Sequence, residues 1–431
     1  MKETFSNYHT VHNRRKILEW GKLVALTSSG QFIIQAISFI SGIIVIRQLP
    51  THEYAFYTLA NTMLGTMTIL ADGGISTGVM AEGGKVWLNK QKLGKVIVTG
   101  LELRKKFAIG SLGIAIPILL YFLRRHHADW TISILIVLSL VPSFLSSLSS
   151  TILEIAPKLH QDIAALQKNQ VNTNIKRLGL LTLTAFVFPL SFVAILCAGL
   201  PQIWANIKLK RLSHKYADLN QDTDLKAQSN ILSFVKRILP GSIYYCLSGQ
   251  ISLWLISSFG TTDAVAQIGA LTRLSMVLIL FKALFSSLLF PRYARMPNQP
   301  SLLFNRYLKI QVTLFIMTIG ITGFVWLYPN EVLWILGKEY YNLKDEVILQ
   351  TIASCLNLSS GIIYGLCTNR GWIIHPIISI PISFISLVSG INLFQLSTIE
   401  GVLMFNIYIA SIQVILNNTY IITKISSKQQ K

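Results

Sequence analysis

The sequence predicts an all-α polytopic membrane protein: about twelve transmembrane helices in two six-helix halves around a central cavity, with both termini in the cytoplasm. Three observations carry this. Hydrophobic residues make up 52% of the 431 and charged residues only 13%, about half the charged share of an ordinary soluble chain. The apolar residues gather into runs long enough to span a bilayer. The 38 Lys and Arg, against 18 Asp and Glu, fall with few exceptions between those runs, most of them in alternate loops and so on one side. Disorder is excluded by the abundance of apolar side chains. A disulfide framework is excluded because four cysteines are scattered without C-x-x-C spacing. A soluble enzyme would have nowhere to hide such runs.

A bilayer core needs roughly 20 apolar residues per helix. Runs of that kind occupy 23–46, 54–71, 107–123, 130–153, 238–258, 264–290, 307–328, 347–367, 372–394 and 399–423. The stretch 178–207, with Pro189 near its middle, is long for one span and short for two. Charge decides between them, because Lys and Arg are retained in cytoplasmic loops. Read as a hairpin, 178–207 completes twelve spans. The inside segments then hold 31 Lys and Arg and nine acidic residues. The outside segments hold five basic and eight acidic ones. Read as one span, it would turn the seven basic residues of 208–237 outward. The hairpin is therefore preferred, provided that its helices are short or begin before Lys176. Most of the +20 net charge is then an orientation signal needing no partner beyond anionic inner-leaflet lipid. A nucleic-acid partner is excluded, since the charge is divided among loops tied to the membrane.

The polar connector 208–237 divides the chain into an N-terminal half, 1–207, and a C-terminal half, 238–431. An echo supports a parallel repeat. Ser29-Gly30-Gln31 is answered by Ser248-Gly249-Gln250, and Pro50-Thr51-His52-Glu53 by Gly260-Thr261-Thr262-Asp263. Arg14-Arg15 reads as a positive-inside flank rather than a targeting signal, because no small-residue cleavage site follows.

Charges within a span are expensive, and they face a cavity or a partner. Arg273 and Lys282 both lie in the run 264–290, too deep for easy escape to the interface. Nine residues apart, they fall on opposite faces of a straight helix, about 13 Å apart along it. Both line one cavity wall only if that helix twists or bends. An Arg fork suits phosphate oxygens, so the two are candidate ligands for an anionic group; the alternative is structural pairing, with Asp72 or backbone carbonyls. Asp72, before Gly73-Gly74, either binds a coupling proton or cation or caps a helix break made by the glycines. Gln31, Gln35, Asn61 and Asn357 either line a hydrophilic path or bond neighbouring helices. Pro117, Pro142, Pro240, Pro376 and Pro381 kink or start helices, and His375 reads as a packed histidine. His126-His127 with Asp129 is poorly spaced for a metal. Gly73 to Gly78 lacks the ending of a nucleotide loop. No metal, cofactor or catalytic signature emerges.

Three stretches resemble a known family. IIVIRQLPTHEYAFYTLANTML (43–64), GTTDAVAQIGALTRLSMVLILFKALFSSLLFPRYAR (260–295) and LWILGKEYYNLKDEVILQTIASCL (333–356) are similar to segments of polysaccharide flippases. These belong to the multidrug/oligosaccharidyl-lipid/polysaccharide exporter superfamily. The resemblance implies a flippase moving a polyprenyl-pyrophosphate-linked oligosaccharide across a bacterial cytoplasmic membrane for surface polysaccharide (O-antigen or lipopolysaccharide) synthesis, alongside a polymerase and glycosyltransferases. It also matches Arg47 to a recurrent basic position, as a third candidate for substrate binding. The alternatives are a cation-coupled multidrug exporter of the same fold and a membrane-embedded glycosyltransferase or polymerase. The mid-span cations oppose the first alternative, and the short outer loops, with Glu53 the notable acid, oppose the second.

Overall fold

The computed structural model describes residues 29–427, save 295, 298, 371, 373 and 375. The basic flank with Arg14-Arg15 and His375 lie outside the described residues. All regular structure among the described residues is helical. In chain order the helices are α1 (Ser29–Gln48), α2 (Thr51–Asp72), α3 (Ile75–Val86), α4 (Lys90–Arg125), α5 (Trp130–Leu153), α6 (Ile155–Leu159), α7 (Ile163–Ala185) and α8 (Ser191–Tyr216). Then follow α9 (Leu225–Phe259), α10 (Thr262–Leu274), α11 (Met276–Ala294), α12 (Pro300–Leu327), α13 (Pro329–Leu336), α14 (Lys344–Thr368), α15 (Pro376–Leu393) and α16 (Ile399–Ser426).

Eight of the spans formed by these helices are long and apolar enough to cross a membrane. With α2, α7, α9 and α15 beside them, and α10 and α11 taken as one broken rod, the long helices follow the order that the sequence predicts. The stretch 178–207 is a hairpin. Its first helix begins at Ile163, well before Lys176, and residues 186–190 turn the chain into α8. The connector 208–237 is shorter than its polar composition suggests. α8 runs on to Tyr216 and α9 starts at Leu225, so only 217–224 leave the helix. Pro117, Pro142, Pro240 and Pro381 lie inside helices.

One end of the bundle carries the basic connectors; the other carries 49–50, 126–129, 260–261 and 337–343. At this second end the halves are tied together. His126 reaches from the α4–α5 turn to the Ser257 carbonyl at 3.0 Å and the Thr262 hydroxyl at 3.1 Å. Burial pushes its imidazole pKa down, so the neutral ring is favoured. Thr51 donates to Glu339 at 2.8 Å. Arg47 donates from Nε to the Ile335 carbonyl at 3.0 Å and stacks over Trp334. A single hydrophobic core, including Tyr54, Leu123, Ile195, Leu271 and Leu336, runs through both halves here.

Toward the basic end that core divides. One cluster joins α3, the first turns of α4, the last of α5 and the start of α9, around Ile75, Ile97, Ile152 and Ile231. The other joins α11, α12, α14 and α16, around Leu303, Ile362 and Ile421. The start of α9 belongs physically to the first half. Asn230 donates to Glu82 at 3.1 Å, and the Asp224 amide donates to Thr99 at 2.9 Å. The Lys85 ammonium beside Glu82, helped by Asn230, holds that carboxyl below its ordinary value. The core is thus shared between the halves at one end and split into two clusters at the other.

The chain turns from α2 into α3 through Gly73 (φ 48°) and Gly74 (φ 98°). Both adopt left-handed backbone that a Cβ strains, and a Cβ on Gly74 would fall 2.8 Å from Cβ of Ile238. Gly74→Ala is therefore expected to destabilise the protein by about 1–3 kcal/mol. Gly65→Ala, where a Cβ meets nothing within 4 Å, is expected to cause no loss. Thermal unfolding of both variants in detergent checks the contrast; equal midpoints would refute the account of this turn.

Candidate functional site

A cavity of about 610 Å³ lies beneath the joined end. α10 supplies Gly269, Thr272 and Arg273, α11 supplies Met276 and Lys282, and α14 supplies Gln350, Ser354 and Asn357. α9 and α16 add Gln250, Ser252 and Asn406, while Tyr54, Thr58 and Asn61 of α2 bring the first half to the wall. Its walls are rich in hydroxyls and amides with two cations among them.

Arg273 and Lys282 line this one cavity, although a straight helix would turn them apart. The cavity reaches around this rod, from Ile268 to Lys282, and one residue interrupts it. α10 stops at Leu274, Ser275 adopts φ −64° and ψ −16°, and α11 restarts at Met276. The Leu278 amide bonds the Ser275 carbonyl at 3.0 Å, an i to i+3 closure that tightens the turn and shifts the helical phase. α14 holds the break. Gln350 donates to the Ser275 hydroxyl at 2.9 Å, and Ser354 lies 2.6 Å from the same oxygen. Neither glycine nor proline marks the position, so the sequence gives no local sign of it.

The surroundings of Arg273 are tailored. Its guanidinium contacts the Met276 sulfur at 3.7 Å and lies within electrostatic reach of Tyr54 and Tyr57. Gly42 of α1 makes room, since a Cβ there would sit 3.4 Å from Cδ of Arg273. Lys282 projects past α14, its ammonium 3.5 Å from where a Gly361 Cβ would stand. Among the described residues neither cation has a carboxylate within ion-pairing distance. The pairing of either residue with Asp72 is not found.

Asp72 sits elsewhere. Its carboxylate accepts from the Ser76 amide at 3.2 Å and the Ser76 hydroxyl at 2.6 Å, capping the start of α3. It also lies 3.4 Å from Arg104, whose side chain is 2% exposed and also donates to Thr151. Arg104 is thus a buried partner for Asp72. Arg47 lies outside the cavity, occupied by the carbonyls and ring of α13. Gln31 and Gln35, exposed and half-buried on α1, are not among the lining residues. Asn61 and Asn357 are, each donating to a carbonyl one turn back, at 2.9 and 3.0 Å. Glu53 accepts from the Ser191 amide at 2.7 Å, where a carboxylate complements the α8 N-terminus. The four cysteines are separate buried thiols.

Sequence reasoning missed Gln350, Ser354, Tyr54 and Arg177. Arg177, one of the basic residues that the charge count places in the inside segments, lies well along α7.

No protein-family model and no curated protein matches the sequence. Solved structures do. A multidrug resistance MATE family transporter of the MOP superfamily in its inward-facing conformation superposes with a TM-score of 0.67 at 13% identity, covering 95% of this chain and 99% of that one. An outward-facing structure so described gives 0.64 at 13% identity, covering 95% and 97%. The eukaryotic MATE transporter AtDTX14 gives 0.62 at 13% identity, covering 96% and 99%. The chain therefore has the fold of the MATE transporters of the MOP superfamily, and its apolar helices make it a multi-pass membrane protein. The resemblance to the exporter superfamily agrees with this fold, while the polysaccharide branch within it has no counterpart among these structures.

The two readings of Asp72 separate experimentally. As a cap and ion-pair partner, Asp72→Asn leaves the Arg104 charge buried, and a loss of about 1–3 kcal/mol is expected, moderated because the Asp72 side chain is 26% exposed. Adding Arg104→Met is expected to restore part of it. Unchanged unfolding midpoints for Asp72→Asn would remove the structural role and revive the coupling-ion reading.

Proposed function

We propose that this protein is an alternating-access transporter whose cargo carries an anionic group, and that a polyprenyl-diphosphate-linked oligosaccharide is the class of cargo it moves. One observation carries the reading: Arg273 and Lys282 share a cavity, with no carboxylate among the described residues paired to either. A membrane-embedded cation without a partner is costly, and a bound phosphate offsets that cost through charge-assisted hydrogen bonds. A cationic cargo would be repelled by the same walls.

The mechanism follows from the two ends of the bundle. The shared core and polar ties close one end; the divided cores open the other. An anionic head group enters the cleft from the open end, meets Lys282 and then Arg273, while an attached lipid tail stays among the apolar outer faces. Rocking of the halves, with the joined end parting and the basic end closing, delivers the head group across. Sided by its basic connectors, the open end faces the cytoplasm of a bacterial inner membrane. A polymerase and glycosyltransferases acting on the delivered unit are the partners this reading implies.

A second reading has its own support. The solved structures of this fold include multidrug resistance transporters, and a cavity of about 610 Å³ lies within the range that holds drug-sized molecules. On fold alone, the multidrug exporter is favoured. The charge of the cavity is what favours an anionic cargo.

Cells settle the choice. In a bacterium lacking its own lipid-linked-oligosaccharide flippase, the wild-type chain is expected to restore surface glycan. The double variant Arg273→Ala with Lys282→Ala, at normal protein levels, is expected to lose at least roughly tenfold, the loss of one charge-assisted contact. No restoration by the wild type, with raised resistance to cationic drugs instead, would transfer the assignment to the multidrug exporter.

A further inference from the structure

A buried histidine crosses between the halves at the joined end. His126, in the α4–α5 turn, is 4% exposed. Its amide bonds the Phe122 carbonyl at 3.1 Å, and the Ala128 amide bonds the Leu123 carbonyl at 3.0 Å, so the turn that carries the ring is fixed. Nε2 lies 3.0 Å from the carbonyl of Ser257, near the end of α9. Nδ1 lies 3.1 Å from the hydroxyl of Thr262, the first residue of α10. A carbonyl only accepts, so Nε2 carries a proton. In the neutral ring Nδ1 then accepts from Thr262, and both contacts are satisfied without charge.

A second proton upsets this balance. Nδ1 becomes a donor, the Thr262 hydroxyl must turn to accept, and a cation stands where almost no water reaches. The charged groups around the ring do not compensate. Arg124, Arg125 and His127 flank it in its own turn, with Arg124 directed to the Ala128 carbonyl at 2.7 Å and the Trp130 ring at 5.1 Å. The last two turns of α9, Ser252 to Phe259, bring no charge. Asp129 follows in the same turn and Asp263 in α10, but no carboxylate among the described residues lies within 4.0 Å of the ring. The Ser257 carbonyl favours the cation; burial, the larger effect, opposes it, as do Arg125 and His127.

We propose that His126 is a pH-sensitive latch on the joined end: as the neutral ring it holds the halves together, and its protonation from the outer side favours their parting. This rests on the rocking of the halves proposed above and is indifferent to the cargo. The direction follows from linkage. Parting exposes the ring, whose pKa returns toward the ordinary value of about 6.5, whereas the joined end holds it lower. The parted state therefore binds more protons. The joined state keeps its full advantage above about pH 6.5 and loses it as the pH falls below. One pH unit below that value the shift toward parting is several-fold, and at most roughly tenfold.

The test is the separation of the halves at the joined end, read by double electron–electron resonance on the purified full-length protein in nanodiscs, about one pH unit above and one below the ordinary histidine pKa. Spin labels on Phe188→Cys, in the turn between α7 and α8, and Tyr328→Cys, after α12, report it. Both positions are exposed and the four native cysteines are buried. The labelled chain is expected to show the longer distance several-fold more often at the acid pH. Adding His126→Gln, which keeps a donor and an acceptor but does not titrate there, is expected to reduce that response to less than about twofold. His126→Asn serves if the Gln variant fails to fold. Thr262→Val, which removes one contact of the latch, is expected to raise the longer distance at the higher pH. If both distances are populated but their proportions ignore pH, or His126→Gln and His126→Asn respond as the native histidine does, the latch is wrong and the rocking stands. If one distance alone is found at both pH values, with Thr262→Val as without it, the rocking falls and the latch with it.

Discussion

Two cations share one cavity across a single interrupting residue. Ser275 separates α10 from α11, and Arg273 before it and Lys282 after it both line the cavity. Gln350 and Ser354 on α14 hydrogen-bond the Ser275 hydroxyl. What the cavity offers a ligand therefore depends on a tertiary interaction between neighbouring helices of the second half as well as on the presence of Arg and Lys in a span.

A division of labour among the basic residues follows. Most serve orientation, lying in connectors where inner-leaflet phosphate and water solvate them. A few do not. Arg104 is paired with Asp72 and Thr151 and locks α4 to α2 and α5. Arg47 is spent on the carbonyls and ring of α13, tying the halves at the joined end. Arg273 and Lys282 combine a mid-span position on the cavity wall with the absence of a carboxylate partner among the described residues. That contrast, paired against unpaired, is what separates structural charge from functional charge here.

Much of the architecture was legible in the sequence because it rests on composition. Run length and the sidedness of charge predict the order of long helices and resolve 178–207 into a hairpin. The start of α7 was not legible, and Arg177 was lost with it. Residues 163–177 are rich in Gln and Asn, which read as a loop. In the fold those amides bond their neighbours: Asn169 donates to the Ala205 carbonyl at 3.1 Å, Gln170 donates to Glu154 at 3.2 Å, and Asn174 accepts from Ser38 at 3.3 Å. Polarity turned inward looks like polarity turned to water when only one chain segment is in view. The break at Ser275 was hidden for the opposite reason, since apolar periodicity passes through it unchanged. Asp72 was legible only as two alternatives, and geometry places it with Ser76 and Arg104.

The central claim is that the cavity selects cargo by negative charge. It is tested most directly with the purified protein in liposomes, by comparing translocation of a fluorescent short-chain polyprenyl-diphosphate glycolipid with translocation of a cationic dye. Transport of the glycolipid, competed by inorganic pyrophosphate and lost in the Arg273→Ala, Lys282→Ala double variant, is the predicted result. Transport of the dye alone, unaffected by that double variant, would contradict it.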